Sequence, residues 1–225
     1  MRFHMLTRGP KVVIVPVAAL LAVLSLSAAA TAPFPDPTID EQHAAAKGKQ
    51  TAVFAGGCFW CTEAVFEHLV GVQKVISGYA GGDAATAHYK IVGEGRTDHA
   101  ESIEVTYDPA RITYGQLLKV FFSVAHDPTQ LNRQGPDYGK QYRSAIFFNS
   151  PEQKRTAEAY IAQLSAAKVL SGPIVTQVVP LTKFYPAEDY HQDFVKNNPN
   201  YPYVVVNALP KLEKLKKLYP DLIKK

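Results

Sequence analysis

The 225 residues contain two cysteines, Cys58 and Cys61, and the only tryptophan, Trp60, lies between them in "AGGCFWCTE" (Ala55 to Glu63). Thiols at C-x-x-C spacing support three chemistries: a metal clip, a structural disulfide or redox exchange. A metal clip needs two further ligands. The seven histidines, among them His68, His88, His99, His126 and His191, show no H-x-x-x-H spacing, so no metal is expected. A bridge across so short a loop restricts the unfolded chain little, which weakens a purely structural disulfide. A reactive thiol is the sharper reading, and an inert buried cysteine is the plain alternative. Gly56 and Gly57 place Cys58 between an apolar run and a helical pattern. At such a turn the backbone N–H groups and the positive end of the helix dipole are expected to lower the thiol pKa. Phe59 and Trp60 then offer an aromatic wall that suits a small apolar group, such as a methyl on sulfur. For Phe59 a place in the core is equally open.

The elements that would position these residues are legible as patterns. "QTAVFAGG" reads as a buried strand entering a tight turn, and "CFWCTEAVFEHL" as a helix with Glu63 and Glu67 outward. "GVQKVISGYAGG" (Gly71 to Gly82) and "AESIEVTYD" (Ala100 to Asp108) read as strands, the second with Ile103, Val105 and Tyr107 alternating with polar neighbours. "TYGQLLKVFFSVA" is an amphipathic helix with Thr113 as N-cap, followed by a long polar loop from His126 to Tyr142. A strand "RSAIFFN", a helix opened by Pro151, a strand "GPIVTQVVPL" and a short helix "PAEDYHQDFVKNN" complete the domain. The order predicts a single α/β or α+β domain, with helices packed on a mixed sheet.

The termini differ from this domain. Arg2, Arg8 and Lys11 precede a fifteen-residue apolar run, Val12 to Leu26, with small residues at Ala28 and Ala30. These are the parts of a secretory signal peptide over residues 1–30, and they imply an exported, periplasmic or secreted protein. An uncleaved membrane anchor is the alternative, although the run is short for a span and contains Pro16. Residues 31–49 are Pro-rich and then polar, and a disordered lead-in is expected there. The domain itself is expected over residues 50–207. Residues 208–225 are expected as a basic helix or tail, with Leu212, Leu215 and Leu218 at helical spacing. The formal charge of +4 is too small and too scattered to indicate nucleic acid.

"GGCFWCTE" resembles the G-C-F-W-x-x-E signature of the A-type peptide methionine sulfoxide reductases. "SGYAGG" (Ser77 to Gly82), "HAESIEVTYDP" (His99 to Pro109), "HDPTQLNRQGPDYGKQYRSAIF" (His126 to Phe147) and "AEDYHQ" (Ala187 to Gln192) are similar to family stretches in the same order. The resemblance spans Thr51 to Asn207. It implies a two-layer, ferredoxin-like α/β sandwich and reduction of the S epimer of methionine sulfoxide, free or in proteins. It also implies no bound cofactor, an external dithiol such as thioredoxin as reductant, and a monomer.

By the same resemblance Cys58 is the nucleophile that becomes a sulfenic acid, and Glu101 the acid that protonates the departing oxygen. Tyr89 and Tyr142 hold that oxygen, Asp137 supports the network, and Phe59 with Trp60 forms the methyl pocket. A Glu101 buried beside aromatics would keep its proton near neutral pH. His191 is expected as a structural hydrogen bonder. Cys61 departs from the pattern, because many relatives carry glycine there and keep recycling cysteines elsewhere. The tail has none, and Gly93 stands where some relatives have cysteine. Cys61 is thus the one thiol available to resolve a sulfenic acid, unless it is simply helix core. Two other classes stay open: a general thiol–disulfide oxidoreductase, and a non-catalytic binding domain.

Overall fold

A computed structural model describes Met1, residues 34–40 and residues 48–225. Its first strand, β1 (Gln50–Gly56), divides two cores by alternation. Ala52 and Phe54 join the large core beneath the helices, whereas Val53 and Ala55 join a small alanine-rich cluster on the other face. Helix α1 (Phe59–Glu67) packs on the large-core face, and β2 (Val72–Ala80) returns beside it. After the short α2 (Tyr89–Gly93), β3 (Ala100–Tyr107) pairs antiparallel with both β1 and β2. Helix α3 (Tyr114–Val120) starts at Thr113, where Thr113 and Gln116 form a capping box, and continues as a π-helical turn over Phe121–Ala125.

The long polar segment that follows is not structureless. It folds into a two-stranded ribbon, β4 (Arg133–Gln134) and β5 (Asp137–Tyr138), and a 3₁₀ turn over Lys140–Tyr142. β6 (Ser144–Phe148) then pairs antiparallel with β1, and α4 (Pro151–Ala167) begins at the Ser150 cap. β7 (Gln177–Pro180) runs parallel to β6, while β8 (Phe184–Pro186) pairs antiparallel with β2. The six-stranded sheet therefore has the order β7-β6-β1-β3-β2-β8 and is mixed. Three helices close the chain: α5 (Phe194–Asn197), α6 (Pro202–Asn207) and α7 (Leu209–Leu218). The result is a single α+β domain over residues 48–225, as expected.

Residues 208–225 carry a basic helix, α7, whose Leu212 and Leu215 enter the main core, and the Lys224 backbone N–H donates to the His68 carbonyl oxygen. Two expectations are corrected. Residues 34–40 of the expected disordered lead-in are docked. The Tyr160 hydroxyl donates to the Pro35 carbonyl oxygen at 2.9 Å, and Asp40 accepts from the Gly115 N–H at 2.8 Å. A carboxylate at the start of α3 satisfies free N–H groups that sequence composition does not reveal. Second, Glu63 points inward and is 1% exposed. The element α1 is covered by β2 on one side and by α5 and α7 on others, so it has no free outward face at this position. Apart from Met1, the expected signal peptide lies outside the described residues.

Candidate active site

Cys58 is the N-cap of α1, directly after β1 ends. Gly57 makes that turn at φ +87°, and a Cβ there would fall 2.5 Å from the Gln134 side chain. Glu101 reaches the same spot from the sheet. It shares its strand face with Ile103, Val105 and Tyr107, which places it beneath α1 rather than in solvent. The Phe59 N–H, a free donor of the first helical turn, donates to Glu101 Oε2 at 3.0 Å. Cys58 and Glu101 are thus held at one helix start by β1 and its neighbour β3.

The other expected residues converge on the same place. Cys58, Phe59, Trp60, Tyr89, Glu101, Asp137 and Tyr142 line a single cavity of about 180 Å³, together with Tyr203. Tyr89 is set at the start of α2, its N–H donating to Glu188 Oε1 at 3.0 Å. Trp60 stacks on Phe194, with ring centroids 3.7 Å apart and planes 7° from parallel. Its Nε1–H donates to His191 Nδ1 at 3.1 Å. Accepting at Nδ1 leaves the proton of neutral His191 on Nε2, and burial lowers the pKa of this ring. His191 therefore orients the tryptophan, the structural role expected for it. Phe59 is both core and cavity wall, so its two readings were never exclusive.

Burial sets the protonation of the polar groups. Glu101 is 2% exposed, and removal from water pushes its carboxyl up to about 8, with Asp137 and Cys61 adding to the rise against the Phe59 N–H. Asp137 is also raised by burial, although it accepts from the Tyr203 hydroxyl at 2.5 Å. Burial raises Tyr89 to about 12 and keeps Tyr142 protonated, so both can donate to an oxygen in the cavity. Cys58 corrects an expectation. Its thiol is 8% exposed and is pushed up rather than down, by burial first and then by Cys61 and Glu101. The helix start cannot offset this, because the nearest free N–H is already given to Glu101. Cys61, 2% exposed, is lowered instead, chiefly by the neighbouring Cys58 thiol.

Such a site can hold a small polarised group between a nucleophilic sulfur and a protonated carboxyl, against aromatic walls. The sequence profile of the family described as "Peptide methionine sulfoxide reductase" matches residues 50–222. The chain belongs to this family. It is 57% identical over 192 residues to "Peptide methionine sulfoxide reductase MsrA 2" of Synechocystis sp., covering 84% of this chain and 90% of that protein. It is 59% identical over 178 residues to the protein of the same name from Mesorhizobium japonicum, covering 79% and 91%. Among solved structures, "Mxr1 from Saccharomyces cerevisiae in reduced form" aligns with a TM-score of 0.62 at 35% identity, over 68% of this chain and 87% of that one. "Methionine sulfoxide reductase A of Corynebacterium diphtheriae" aligns at 0.58 and 35% identity, over 74% and 82%.

In this member of the peptide methionine sulfoxide reductases, two cavity residues, Tyr203 and Lys211, escape sequence reasoning. Tyr203 is one of two tyrosines in "YPYVVV" and nothing local separates it from its neighbour Tyr201. Only the fold brings α6 against the ribbon of β4 and β5, where Tyr203 meets Asp137. Cys61 does not line the larger cavity. It faces a second, smaller one of about 60 Å³, whose wall it shares with Cys58, Asp137, Tyr203 and Lys211. Cys58 and the Asp137–Tyr203 pair thus stand between the two cavities.

Proposed function

We propose that the chain reduces the S epimer of methionine sulfoxide, free or in polypeptides, to methionine. The observation that carries this is the convergence on one cavity of a buried thiol, a carboxyl protonated at neutral pH, two protonated tyrosines and an aromatic wall. The Cys58 sulfur attacks the sulfoxide sulfur while the Glu101 proton goes to the sulfoxide oxygen, hydrogen-bonded by Tyr89 and Tyr142. Oxygen passes to Cys58, which becomes a sulfenic acid, and methionine leaves. Asp137, through Tyr203, steadies the wall beside the thiol. A protonated Glu101 also removes a negative charge that otherwise raises Cys58, so one proton serves both groups.

Cys61 then displaces the sulfenic hydroxyl, giving a Cys58–Cys61 disulfide that a thioredoxin-like dithiol reopens. Both thiols line the same small cavity, which supports this pairing. The depth of both cysteines disfavours general disulfide exchange with protein partners. The test is a single turnover with separated sulfoxide epimers. The S epimer is expected to yield one methionine per chain and a mass loss of two hydrogens. Turnover of the R epimer alone would refute the assignment.

The scaffold fits a ferredoxin-like sandwich, since β6-β1-β3-β2 with α1 and α3 is a βαββαβ unit, extended here by β7 and β8. The basic and apolar N-terminus supports export, with cleavage near Ala30. Sequencing the exported protein is expected to start at Thr31; a chain that keeps Met1 would make the segment an anchor.

A further inference from the structure

The first half of the reaction removes what keeps Cys61 reactive. In the reduced protein the neighbouring Cys58 thiol, which shares a cavity wall with Cys61, is the largest influence favouring the Cys61 thiolate. Once Cys58 carries oxygen, that S–H no longer exists. Cys61 is then a buried thiol, 2% exposed, and burial disfavours its charged form. A resolving thiol must nonetheless ionise, because the thiolate is the nucleophile.

The groups facing Cys61 come from several elements. Cys58 lies on its own helix start, Glu101 on β3, Asp137 on β5, Tyr203 on α6 and Lys211 on α7. Glu101 and Asp137 oppose ionisation of the thiol when charged. The Tyr203 hydroxyl is engaged by Asp137 at 2.5 Å. Among the described residues lining the small cavity, Lys211 alone carries positive charge. Its ammonium is not a loose surface group: Nζ donates to the Ala125 carbonyl oxygen at 2.7 Å, at the end of the π-helical turn. One proton is thereby fixed and the other two remain for the cavity, which Lys211 lines together with Cys61.

We propose that Lys211 is a positioning residue for the resolving step, an anchored cation that holds Cys61 as thiolate after Cys58 has been oxidised. This rests on the reading of Cys61 as the resolving thiol. In the step, the Cys61 thiolate attacks the Cys58 sulfur, an S–S bond forms and the S–O bond breaks. Cys61 is oxidised, Cys58 is reduced, and the hydroxide leaves as water after taking a proton from Glu101 or solvent. The thiolate proton has already passed to solvent. On this account the C-terminal helix, which holds no cysteine, still supplies the recycling step with its electrostatics.

The experiment follows sulfenic acid and disulfide by rapid quench and mass spectrometry after one equivalent of S-sulfoxide, across pH. Lys211→Met is expected to slow disulfide formation about tenfold at pH 7 and to move its pH profile up by about one unit. The sulfenic acid then accumulates, and raising the pH restores the rate. Lys211→Gln, which keeps a donor without the charge, is expected to behave like Met, and Lys211→Arg like the wild type. If Met destabilises the fold, the Gln and Arg pair carries the comparison. Superimposable pH profiles for Gln, Arg and wild type would overturn the role of Lys211 while leaving Cys61 as the resolving thiol. A wild type that forms no Cys58–Cys61 disulfide overturns the reading of Cys61 and this inference with it.

Discussion

The Cys58→Ser variant folds normally and releases no methionine from the sulfoxide. Serine fills the N-cap position without a steric change, and it caps helices well, so circular dichroism and the melting temperature are expected to stay close to the wild type. The chemistry does not survive. A hydroxyl at this site is neither ionised near neutral pH nor able to accept oxygen and return it to a dithiol, as sulfur does. The expected loss in kcat/KM is on the order of 10⁴-fold or more. Cys61 cannot substitute, because it lines the smaller cavity and not the one holding Glu101, Tyr89 and Tyr142. Retention of more than about a hundredth of the wild-type rate would show that Cys58 is not the nucleophile.

Glu101→Gln is the second large effect. The amide is nearly isosteric and still accepts from the Phe59 N–H through its oxygen, but it has no proton to transfer. Loss of a general acid lowers kcat by roughly 10²–10⁴-fold. The pH dependence identifies the cause. Burial first, and then Asp137 and Cys61, place the Glu101 pKa at about 8, so the wild type holds the transferable proton below about 8 and loses it above. Its rate is expected to fall as pH rises through that value, and the Gln variant lacks that fall. Stability follows the same group. Because the folded pKa lies above the unfolded one, the contribution of Glu101 is fully present below the ordinary carboxylate range and is lost as pH climbs to about 8. The Gln variant should therefore lose less stability between pH 5 and 9 in denaturant titrations. A variant with wild-type kcat and the wild-type alkaline fall would remove Glu101 from the reaction.

Some of this site is local in the chain and some is not. The C-x-x-C pair, its aromatic insert and the strand, glycine turn and helix around it are neighbours in sequence, so composition and periodicity suffice to locate them. Glu101 was reached only through the family resemblance, since a carboxylate that opens a strand is ordinarily solvated. Helical periodicity misled at Glu63: a helix covered on several sides buries a carboxylate that a one-faced helix would leave outside. The docked residues 34–40 were missed for a related reason. Their partners are free N–H groups, carbonyl oxygens and core gaps that exist only once distant segments have packed.

The sequence by itself determined which sulfur chemistry is available, where the thiols sit on a strand-to-helix turn, and the family-like order of motifs around them. Only the tertiary structure decided the protonation of those groups and what stands beside each sulfur. Desolvation is a property of the packed interior, so it raises Cys58 where a helix start alone would lower it. Tyr203 and Lys211 lie about 140 residues or more from the cysteines in the chain, and the packing of the last helices against the ribbon and the π-helical turn brings them to the cavities.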